Sequence, residues 1–350
     1  MRLLITGGAG FVGSSLAVGL ARRHPDWEIT AADNLYRRGS ELNLPRLRQA
    51  GVRFEHADVR LPADLERLGP IQALVECSAE PSALAGRSDT SFVVPTNLFG
   101  AYHCFELAAR HGAQVIFLST SRVYPVETLA GLAYSEGETR FELASEQHVP
   151  GASAAGIAED FPLEGSRTLY GATKLAAELL LREYAENFGI PTTVDRCGVI
   201  SGPWQMGGSE QGVFAHWAIG FLRGRELRYI GYGGAGKQVR DVLHVDDLVD
   251  LLELQLLAPA EWSGRTFNVG GGLEGSLSLR EATEICRELT DAEIEPGSVA
   301  EERPGDVPIY VSDCRALHEH TDWRPRRGPR QVLADILSWA GERDSELDFL

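Results

Sequence analysis

The fold of this 350-residue chain is decided by the stretch Thr6-Gly7-Gly8-Ala9-Gly10-Phe11-Val12-Gly13. A short apolar run, residues 2–6, comes before it and predicts a buried strand, and residues 11–23 have the length and pattern of a helix. The glycines suit the turn between strand and helix. The first permits a tight turn, the second lets the backbone approach a ligand closely, and the third lets the helix pack on the strand.

The same alternation of strand and helix continues along the chain. Predicted strands cover residues 2–6, 28–32, 52–57, 73–77, 114–118, 192–196 and 266–269, and predicted helices cover residues 11–23, 63–68, 92–111, 170–188, 245–257, 278–289 and 331–341. Alternating elements of this kind predict an α/β fold, with a doubly wound parallel sheet of the Rossmann type that helices cover on both faces.

Charge and composition limit the expected partners. The chain is 43% hydrophobic, enough for a large core, and carries a formal net charge of −17. A strongly acidic chain repels nucleic acid and anionic lipid, so neither is expected as a partner. The apolar residues near the N-terminus are interrupted by glycines and contain no run of about 20 apolar residues, so no membrane span is expected there.

The five cysteines indicate a reducing environment. They are odd in number and far apart in sequence, and no two have the spacing of a metal or redox pair. We therefore expect no metal site, a cytoplasmic protein, and cysteines that behave as small buried hydrophobic residues. They are Cys77, Cys104, Cys197, Cys286 and Cys314.

The glycine turn and an acidic residue after the second strand predict a dinucleotide site. The start of the helix would face a pyrophosphate with the positive end of its dipole. The carboxylate of Asp33 is placed to accept both hydroxyls of an adenosine ribose and would repel a 2′-phosphate, which favours NAD over NADP. Arg37 and Arg38 lie close by and leave NADP open as an alternative. Asp58, after the third strand, is either an adenine contact or a residue that caps its loop.

A tyrosine and a lysine predict a proton-transfer site. Tyr170 and Lys174 are four residues apart on a predicted helix and therefore project from one face. A nearby ammonium stabilises a phenolate and lowers the tyrosine pKa from about 10. Tyr170 could then take a proton from a sugar hydroxyl, Thr120 could hydrogen-bond the same oxygen, and Lys174 could also hold a nicotinamide ribose. Such pairs are common on helices, and this one becomes specific only with the glycine turn upstream and with Ser119-Thr120-Ser121 closing a strand between the two motifs.

These motifs together resemble the extended short-chain dehydrogenase/reductase family, in particular its nucleotide-sugar epimerases and dehydratases. Nearly the whole chain is covered, because Asn97, the segments 236–247 and 267–271, and the run 303–306 also fall in family order. The resemblance implies a nucleoside-diphosphate sugar as substrate. It implies NAD bound by Gly7, Gly10, Phe11, Val12, Gly13, Asp33, Asn34, Asp58, Val59, Asn97, Tyr170 and Lys174.

Within that family the chain most resembles the CDP-paratose/CDP-tyvelose 2-epimerases. The supporting segments are residues 33–39, 138–141 and 210–213, and the 50 residues between Thr120 and Tyr170 resemble an insertion in that group. This resemblance implies transient oxidation at C2 of a CDP-linked deoxyhexose. Three different functions stay open beside it: a nucleotide-sugar 4-epimerase, an NAD-dependent dehydrogenase, or a non-catalytic NAD-binding regulator.

Two features of the sequence refine the predicted substrate site. Dehydratases of the family carry a carboxylate directly after the catalytic Thr or Ser, whereas Thr120 is followed by Ser121 and Arg122, which favours epimerisation. Glu80 departs from the family pattern and is predicted to contact the sugar or to act as an extra acid or base, or else only to cap a loop. Arg240 and Arg303 are predicted to bind the diphosphate, because guanidinium groups form bidentate hydrogen bonds with it.

The domain boundaries follow from the same motifs. Residues 1–199, with residues 239–270 interleaved, are predicted to form the NAD-binding Rossmann domain. Residues 200–238 and 271–350 are predicted to form a smaller C-terminal α/β domain for the nucleotide sugar. The family resemblance also implies a homodimer that pairs through the helices predicted over residues 92–111 and 170–188.

Overall fold

A computed structural model of the chain describes residues 1–82, 84, 86–87, 89–207 and 211–347. Glu210, which contributed to the resemblance above, lies outside the described residues. Within the described part of the chain, no helix is both long enough and apolar enough to cross a membrane.

Helices make up a large part of the described chain. They are α1 (Phe11–Arg23), α2 (Leu44–Gln49), α3 (Pro62–Glu66), α4 (Gly100–His111), α5 (Val126–Ala130), α6 (Leu169–Phe188), α7 (Val213–Leu222), α8 (Val245–Leu257), α9 (Pro259–Trp262), α10 (Leu279–Thr290), α11 (Arg315–His320) and α12 (Pro329–Glu342). A π-helical turn, Pro95–Phe99, leads directly into α4.

The strands are mostly short. They are β1 (Arg2–Thr6), β2 (Glu28–Asp33), β3 (Arg53–His56), β4 (Ala73–Glu76), β5 (Gln114–Thr120), β6 (Tyr134–Glu136), β7 (Phe141–Leu143), β8 (Ala152–Ser153), β9 (Gly156–Ile157), β10 (Thr192–Cys197), β11 (Val199–Ser201), β12 (Arg228–Ile230), β13 (Val239–His244), β14 (Arg265–Val269), β15 (Ser276–Ser278), β16 (Gly297–Val299) and β17 (Ile309–Tyr310).

A seven-stranded sheet has the order β14-β10-β5-β4-β1-β2-β3. The neighbours β1–β2, β2–β3, β1–β4 and β4–β5 all pair in parallel. From β1 the chain first builds one half of the sheet through β2 and β3, and then returns to build the other half from β4. The order therefore reverses between β1 and β4, where ligands of doubly wound folds bind outside the carboxyl ends of the strands. The predicted α/β Rossmann fold is confirmed.

The chain divides into two compact units. The first unit is formed by Met1–Val123, Leu169–Arg196 and Leu248–Thr266. It carries six strands of the large sheet and the beginning of β14. The core of this unit includes Leu4 of β1, Leu74 of β4 and Phe117 of β5, all buried.

The second unit is formed by Tyr124–Thr168, Cys197–Asp247 and Phe267–Leu350. Its main sheet is centred on β13, which pairs in parallel with β11 and β17 and antiparallel with β15. This unit includes four segments that the sequence assigned to the first domain: residues 124–168, 197–199, 239–247 and 267–270. Long-range contacts hold residues 124–168 in this unit: the Phe141 N–H donates to the Lys237 carbonyl at 3.0 Å, and Arg140 donates to Ser276. The functional roles predicted for the two domains stay predictions.

One predicted helix differs from the observed structure, and several observed elements were not predicted. The helix predicted over residues 92–111 is a π-helical turn followed by α4, a form often found at functional sites. Helix α7 was not predicted, because most of its residues are buried and it shows no amphipathic period. The short strands β6–β9 were also missed, since two or three residues carry too little pattern.

Candidate functional site

The glycine turn packs against the end of β4 and leaves no space for side chains. Gly7 has φ +61°, a conformation that favours glycine, and a Cβ there would lie 2.9 Å from the Cys77 carbonyl oxygen. A Cβ on Gly13 would lie 2.3 Å from the Gly7 carbonyl oxygen. The Gly10 N–H donates to that same oxygen at 2.9 Å. This compact turn at the start of α1 has the form required to cradle a pyrophosphate, with Phe11, Val12 and Gly13 in its first helical turn.

Asp33 ends β2 and is anchored by backbone groups. Its carboxylate accepts the Ala9 N–H at 3.1 Å and the Leu35 N–H at 2.8 Å. Leu35 has φ +53°, so the chain bends sharply directly after the strand. Burial raises the pKa of Asp33, and the backbone donors oppose this shift. The carboxylate is thereby tied to the glycine turn, and this position fits the ribose contact predicted for it.

Asp58 lies in a network of side chains that the sequence did not predict. Arg60 donates to both of its carboxylate oxygens, with the closest contact at 2.6 Å, and the Asn34 side chain donates at 3.0 Å. The Arg60 guanidinium lowers the pKa of Asp58 to about 2. Val59, the next residue, is buried, and its carbonyl contacts the His103 ring at 2.9 Å. Because Asp58 already bridges two partners, its predicted adenine contact stays a prediction.

Asn97 connects three parts of the first unit. It lies in the π-helical turn and is buried. Its amide oxygen accepts the Glu80 N–H at 2.7 Å, and its amide nitrogen donates to the Glu80 carbonyl at 3.0 Å. The same nitrogen donates to the Thr173 hydroxyl on α6 at 3.3 Å. Asn97 therefore holds the backbone of Glu80, whose carboxylate accepts the Ser82 N–H at 3.2 Å and is partly exposed.

Thr120 and Tyr170 belong to two segments in close contact. Thr120 ends β5, is buried, and its hydroxyl accepts the Arg122 N–H at 3.2 Å. Tyr170 is the second residue of α6 and is partly exposed. The next residue, Gly171, approaches the turn after Thr120 so closely that a Cβ on it would lie 2.0 Å from the Arg122 carbonyl oxygen. The start of α6 is thereby fixed against the end of β5.

Lys174 forms a buried ion pair that was not predicted. Its Nζ lies 3.2 Å from Oε2 of Glu76, and the two side chains are 2% and 1% exposed. The ammonium also lies 4.3 Å from the centre of the Phe117 ring. The other oxygen of Glu76 accepts the Ser78 N–H at 2.9 Å. The available signal was a carboxylate at the end of the otherwise apolar strand β4, since charged residues are rarely fully buried without a partner.

A second buried ion pair lies one turn further along α6. Glu178 accepts hydrogen bonds from Arg196 of β10, with the closest at 2.8 Å, and also from the Ser119 hydroxyl of β5. Both charged side chains are 5% exposed. Lys174 and Glu178 therefore fasten one face of α6 to the sheet through opposite charges.

The two arginines predicted to bind the diphosphate, Arg240 and Arg303, lie in the second unit. The Arg240 guanidinium donates to Asp306 at 2.5 Å and to the carbonyls of Val239 and Val307, each at 2.7 Å. Arg303 is partly exposed, and its carbonyl accepts the Asp306 N–H at 3.1 Å, which closes a turn. Arg240 is thus engaged by protein atoms, and its diphosphate role stays a prediction, as does that of Arg303.

Two other expectations concern metals and cysteines. Among the residues that the structure describes, no group of three or more His, Cys, Asp or Glu side chains is arranged to hold a metal ion. All five cysteines are described and none forms a disulfide; four are buried, and Cys77 is partly exposed.

The chain is similar to several characterised proteins over nearly its whole length. CDP-paratose 2-epimerase of Salmonella typhi is 28% identical over 348 residues, which cover 97% of this chain and 99% of the relative. The crystal structure of UDP-glucose 4-epimerase from Thermotoga maritima, solved with UDP-glucose, is 25% identical with a TM-score of 0.78, covering 98% and 99% of the two chains. A dTDP-glucose 4,6-dehydratase of Streptomyces venezuelae, solved with NAD, is 27% identical with a TM-score of 0.79, covering 99% of each chain.

The family model described as "NAD dependent epimerase/dehydratase family" matches residues 3–270. This match covers well over half of the chain and includes the glycine turn, Asp33, Thr120 and the start of α6. With it the predicted cofactor, NAD, is confirmed, and the chain belongs to the NAD-dependent epimerase/dehydratase family.

Proposed function

We propose that the protein is an NAD-dependent epimerase of a nucleoside-diphosphate sugar, acting at C2 of a CDP-linked deoxyhexose. The observation that carries the proposal is the turn directly after Thr120, formed by Ser121–Val123. It contains no carboxylate, so elimination of a hydroxyl lacks the acid that dehydratases of this family place there. The similarity to a CDP-paratose 2-epimerase over 99% of that relative supports the choice of sugar nucleotide and carbon.

The proposed chemistry divides between the cofactor and the chain. NAD, when bound, supplies reversible hydride acceptance at a sugar carbon. The glycine turn would hold its pyrophosphate, and Asp33 its adenosine ribose. Tyr170 would take the proton from the reacting hydroxyl and later give it back, as general acid–base catalysis requires.

The remaining site residues would position these groups. Thr120 would donate a hydrogen bond to the reacting oxygen, and Lys174 would stabilise the phenolate of Tyr170 through its positive charge. Asn97 would hold the Glu80 backbone through its two hydrogen bonds. Glu80 and Arg303 are the other proposed substrate contacts, and Arg240 is a weaker candidate because its donors are already engaged.

Exposed apolar side chains support the proposed homodimer. Phe99 next to α4, and Leu179 and Phe188 on α6, are 52%, 55% and 58% exposed. Contiguous exposed apolar patches are typical of interaction sites, and these side chains lie on or beside the two helices expected to pair. Light scattering at micromolar concentration should give the mass of two chains, and a monomer would contradict the pairing. We also propose a cytoplasmic location, which fractionation of cells would test.

The reaction can be tested with isotopically labelled substrates. A CDP-linked deoxyhexose deuterated at C2 should react with a primary isotope effect and keep its label in the epimer. The same sugar deuterated at C4 should react without such an effect. An isotope effect at C4 alone would assign a 4-epimerase, and loss of label to solvent would indicate deprotonation beside a ketone.

Testing the dehydrogenase and the regulator needs a broader panel of CDP-, UDP-, GDP- and dTDP-linked sugars. Accumulation of an oxidised sugar together with reduced cofactor would identify a dehydrogenase. Absence of reaction with every sugar in the panel would favour the non-catalytic regulator and contradict the proposal.

A further inference from the structure

The chain contains two lysines, Lys174 and Lys237, among its 33 basic residues. Nearly every basic position is therefore occupied by arginine, whose guanidinium stays protonated at any working pH. A lysine differs because burial readily lowers its pKa, by as much as 3–5 pH units when it has no counter-charge. Lys174 is 98% buried and would lose its charge in an apolar site, yet the role proposed for it beside Tyr170 requires that charge.

Glu76 supplies the counter-charge that buried Lys174 requires, and both side chains are held in place by further contacts. One carboxylate oxygen lies 3.2 Å from the Lys174 Nζ, and the other accepts the Ser78 N–H at 2.9 Å. Phe117 covers the ammonium on another side. The carboxylate comes from β4, the aromatic ring from β5 and the ammonium from α6, so the pair links three elements of the first unit.

We propose that Glu76 is the positioning residue for Lys174: its buried carboxylate fixes the ammonium one turn after Tyr170 and keeps it protonated at the working pH. This inference rests on the proposed role of Lys174 in proton transfer. The function attributed to Glu76 is electrostatic, and it needs no contact between Glu76 and the substrate or the cofactor.

The charges around the pair are compatible with this role. Burial raises the pKa of Glu76, while Lys174 and the Ser78 N–H oppose that rise. Burial also raises the pKa values of the Cys77 and Cys104 thiols, which are therefore neutral near neutral pH.

Two further ionisable groups lie within one turn of Lys174 on α6, Tyr170 before it and Glu178 after it. Tyr170 is the group on which the ammonium would act. Glu178, one turn beyond, is paired with Arg196, and the opposite charges of that pair largely offset each other at Lys174. Glu76 is thus the carboxylate that directly balances the Lys174 charge.

The small number of lysines allows a direct test. The protein with its bound cofactor would be labelled with lysine carrying ¹³C at Cε, which gives one NMR signal for each of the two lysines. Lys237→Arg identifies the signal of Lys174. In the wild-type protein we expect this signal to stay that of an ammonium from pH 6 to about 9, whereas in Glu76→Gln its midpoint should fall by at least about 2 pH units.

Glu178→Gln is the matched control because it breaks the other buried ion pair on the same helix. We expect it to lower stability but to leave the Lys174 titration as in the wild type. Glu76→Asp retains the negative charge and should keep Lys174 protonated. The alkaline limb of the pH–rate profile should move to lower pH in Glu76→Gln and stay unchanged in Glu178→Gln.

Two results would overturn the proposal. One is a Glu76→Gln protein in which Lys174 titrates as in the wild type. The other is a wild-type protein in which Lys174 already loses its proton below about pH 8. Because this measurement needs only the wild-type protein, it tests the proposal even if Glu76→Gln does not fold. The NMR titration needs no sugar substrate, so a failure of the proposed epimerase activity would leave its outcome readable.

Discussion

Lys174 in the first unit and Arg240 in the second were both predicted to hold ligand groups, and both occur in ion pairs, but the two pairs differ. Lys174 contacts one carboxylate and one aromatic ring, and the side chains of its pair are 2% and 1% exposed. Arg240 donates to a carboxylate and two backbone carbonyls, and the side chains of its pair are 14% and 20% exposed. An ammonium has three donors, so Lys174 can still bind another group.

This difference distinguishes a residue that we propose acts in proton transfer from one that fastens a loop. Arg240 joins β13 to residues 306 and 307, and these contacts already occupy most of its planar fork of donors. Lys174 is held by the Glu76 carboxylate at the end of β4, at the edge of the sheet where ligands of such folds bind. We therefore expect substitutions on α6 to change the rate of the reaction, and substitutions on β13 to change mainly the stability of the second unit.

Removing the phenol oxygen from α6 should have the largest effect. Tyr170→Phe keeps the ring but deletes the acid–base group, so turnover should fall by roughly 10²–10⁴-fold while NAD binding and the melting temperature stay close to wild type. Tyr184→Phe makes the same change on the same helix, where the hydroxyl donates to Glu106, and should keep its turnover. Retention of more than about a tenth of the activity in Tyr170→Phe would contradict the assigned role.

Shifting the start of α6 should have the next largest effect. Gly171→Ala adds a methyl group that would lie 2.0 Å from the Arg122 carbonyl oxygen, so the helix must move away from the turn after Thr120. A displacement near 1 Å can reduce catalysis by about 10²-fold, which steady-state kinetics would measure. Gly341→Ala, in a helical position with open space, is the control and should be neutral. Equal turnover in the two variants would show that this close approach is not needed.

Two buried aspartates, Asp195 and Asp241, should give a smaller effect, a dependence of the free energy of unfolding on pH. Burial raises the pKa of Asp195 to about 7 and that of Asp241 to about 6. Both values lie above the unfolded value, so the folded protein binds extra protons, and the free energy of unfolding falls as pH rises from about 4 to the folded pKa. A difference of one pH unit between the folded and unfolded pKa corresponds to about 1.4 kcal/mol at most.

Asparagine variants of these two residues would measure that loss. Asp195→Asn keeps the oxygen that accepts the Gln255 amide at 3.0 Å. The free energy of unfolding of this variant, measured with urea and expressed relative to wild type, should rise by about 2 kcal/mol from pH 5 to about pH 8. This is roughly half of the free energy that corresponds to the whole pKa difference between folded and unfolded Asp195. Asp241→Asn should gain less, because burial raises the pKa of Asp241 less. A difference from wild type that is the same at both pH values would contradict the assigned titrations.

Arg240 should give the smallest effect on catalysis. Arg240→Lys keeps the charge but loses the fork that joins β13 to residues 306–307, so the free energy of unfolding should fall by about 1 kcal/mol. The KM for the sugar nucleotide should change by less than about threefold. A tenfold rise in KM with unchanged stability would instead support the predicted diphosphate contact and weaken the contrast with Lys174.

The sequence predicted those parts of the fold in which the local pattern is unambiguous. The bounds of β1, α1 and α8 agree with the predicted ranges to the residue. Each has a regular apolar pattern and clear end signals, so local chemistry is enough to define it. The family resemblance added Asn97, which the structure places at the centre of a hydrogen-bond network.

What the sequence could not predict were the partners that lie far away along the chain. Glu76 and Lys174 are 98 residues apart, and no local pattern joins them. The Asp306 side chain next to Arg240 was missed for the same reason, since the two residues are 66 positions apart. Arg60 is different, because it lies only two residues after Asp58 and its pairing was within reach of the local sequence. Motif spacing locates a side chain on an element, whereas its electrostatic environment depends on tertiary contacts.

The scarcity of lysine has a practical consequence for handling the protein. Met1 is partly exposed. Among the side chains, Lys237 is 14% exposed and Lys174 is 2% exposed, so reagents that acylate amines should modify Lys237 before Lys174. Replacing Lys237 by arginine would leave the N-terminal amine as the accessible point of attachment. The chain could then be coupled to a solid support in one orientation, through an amine remote in sequence from α6.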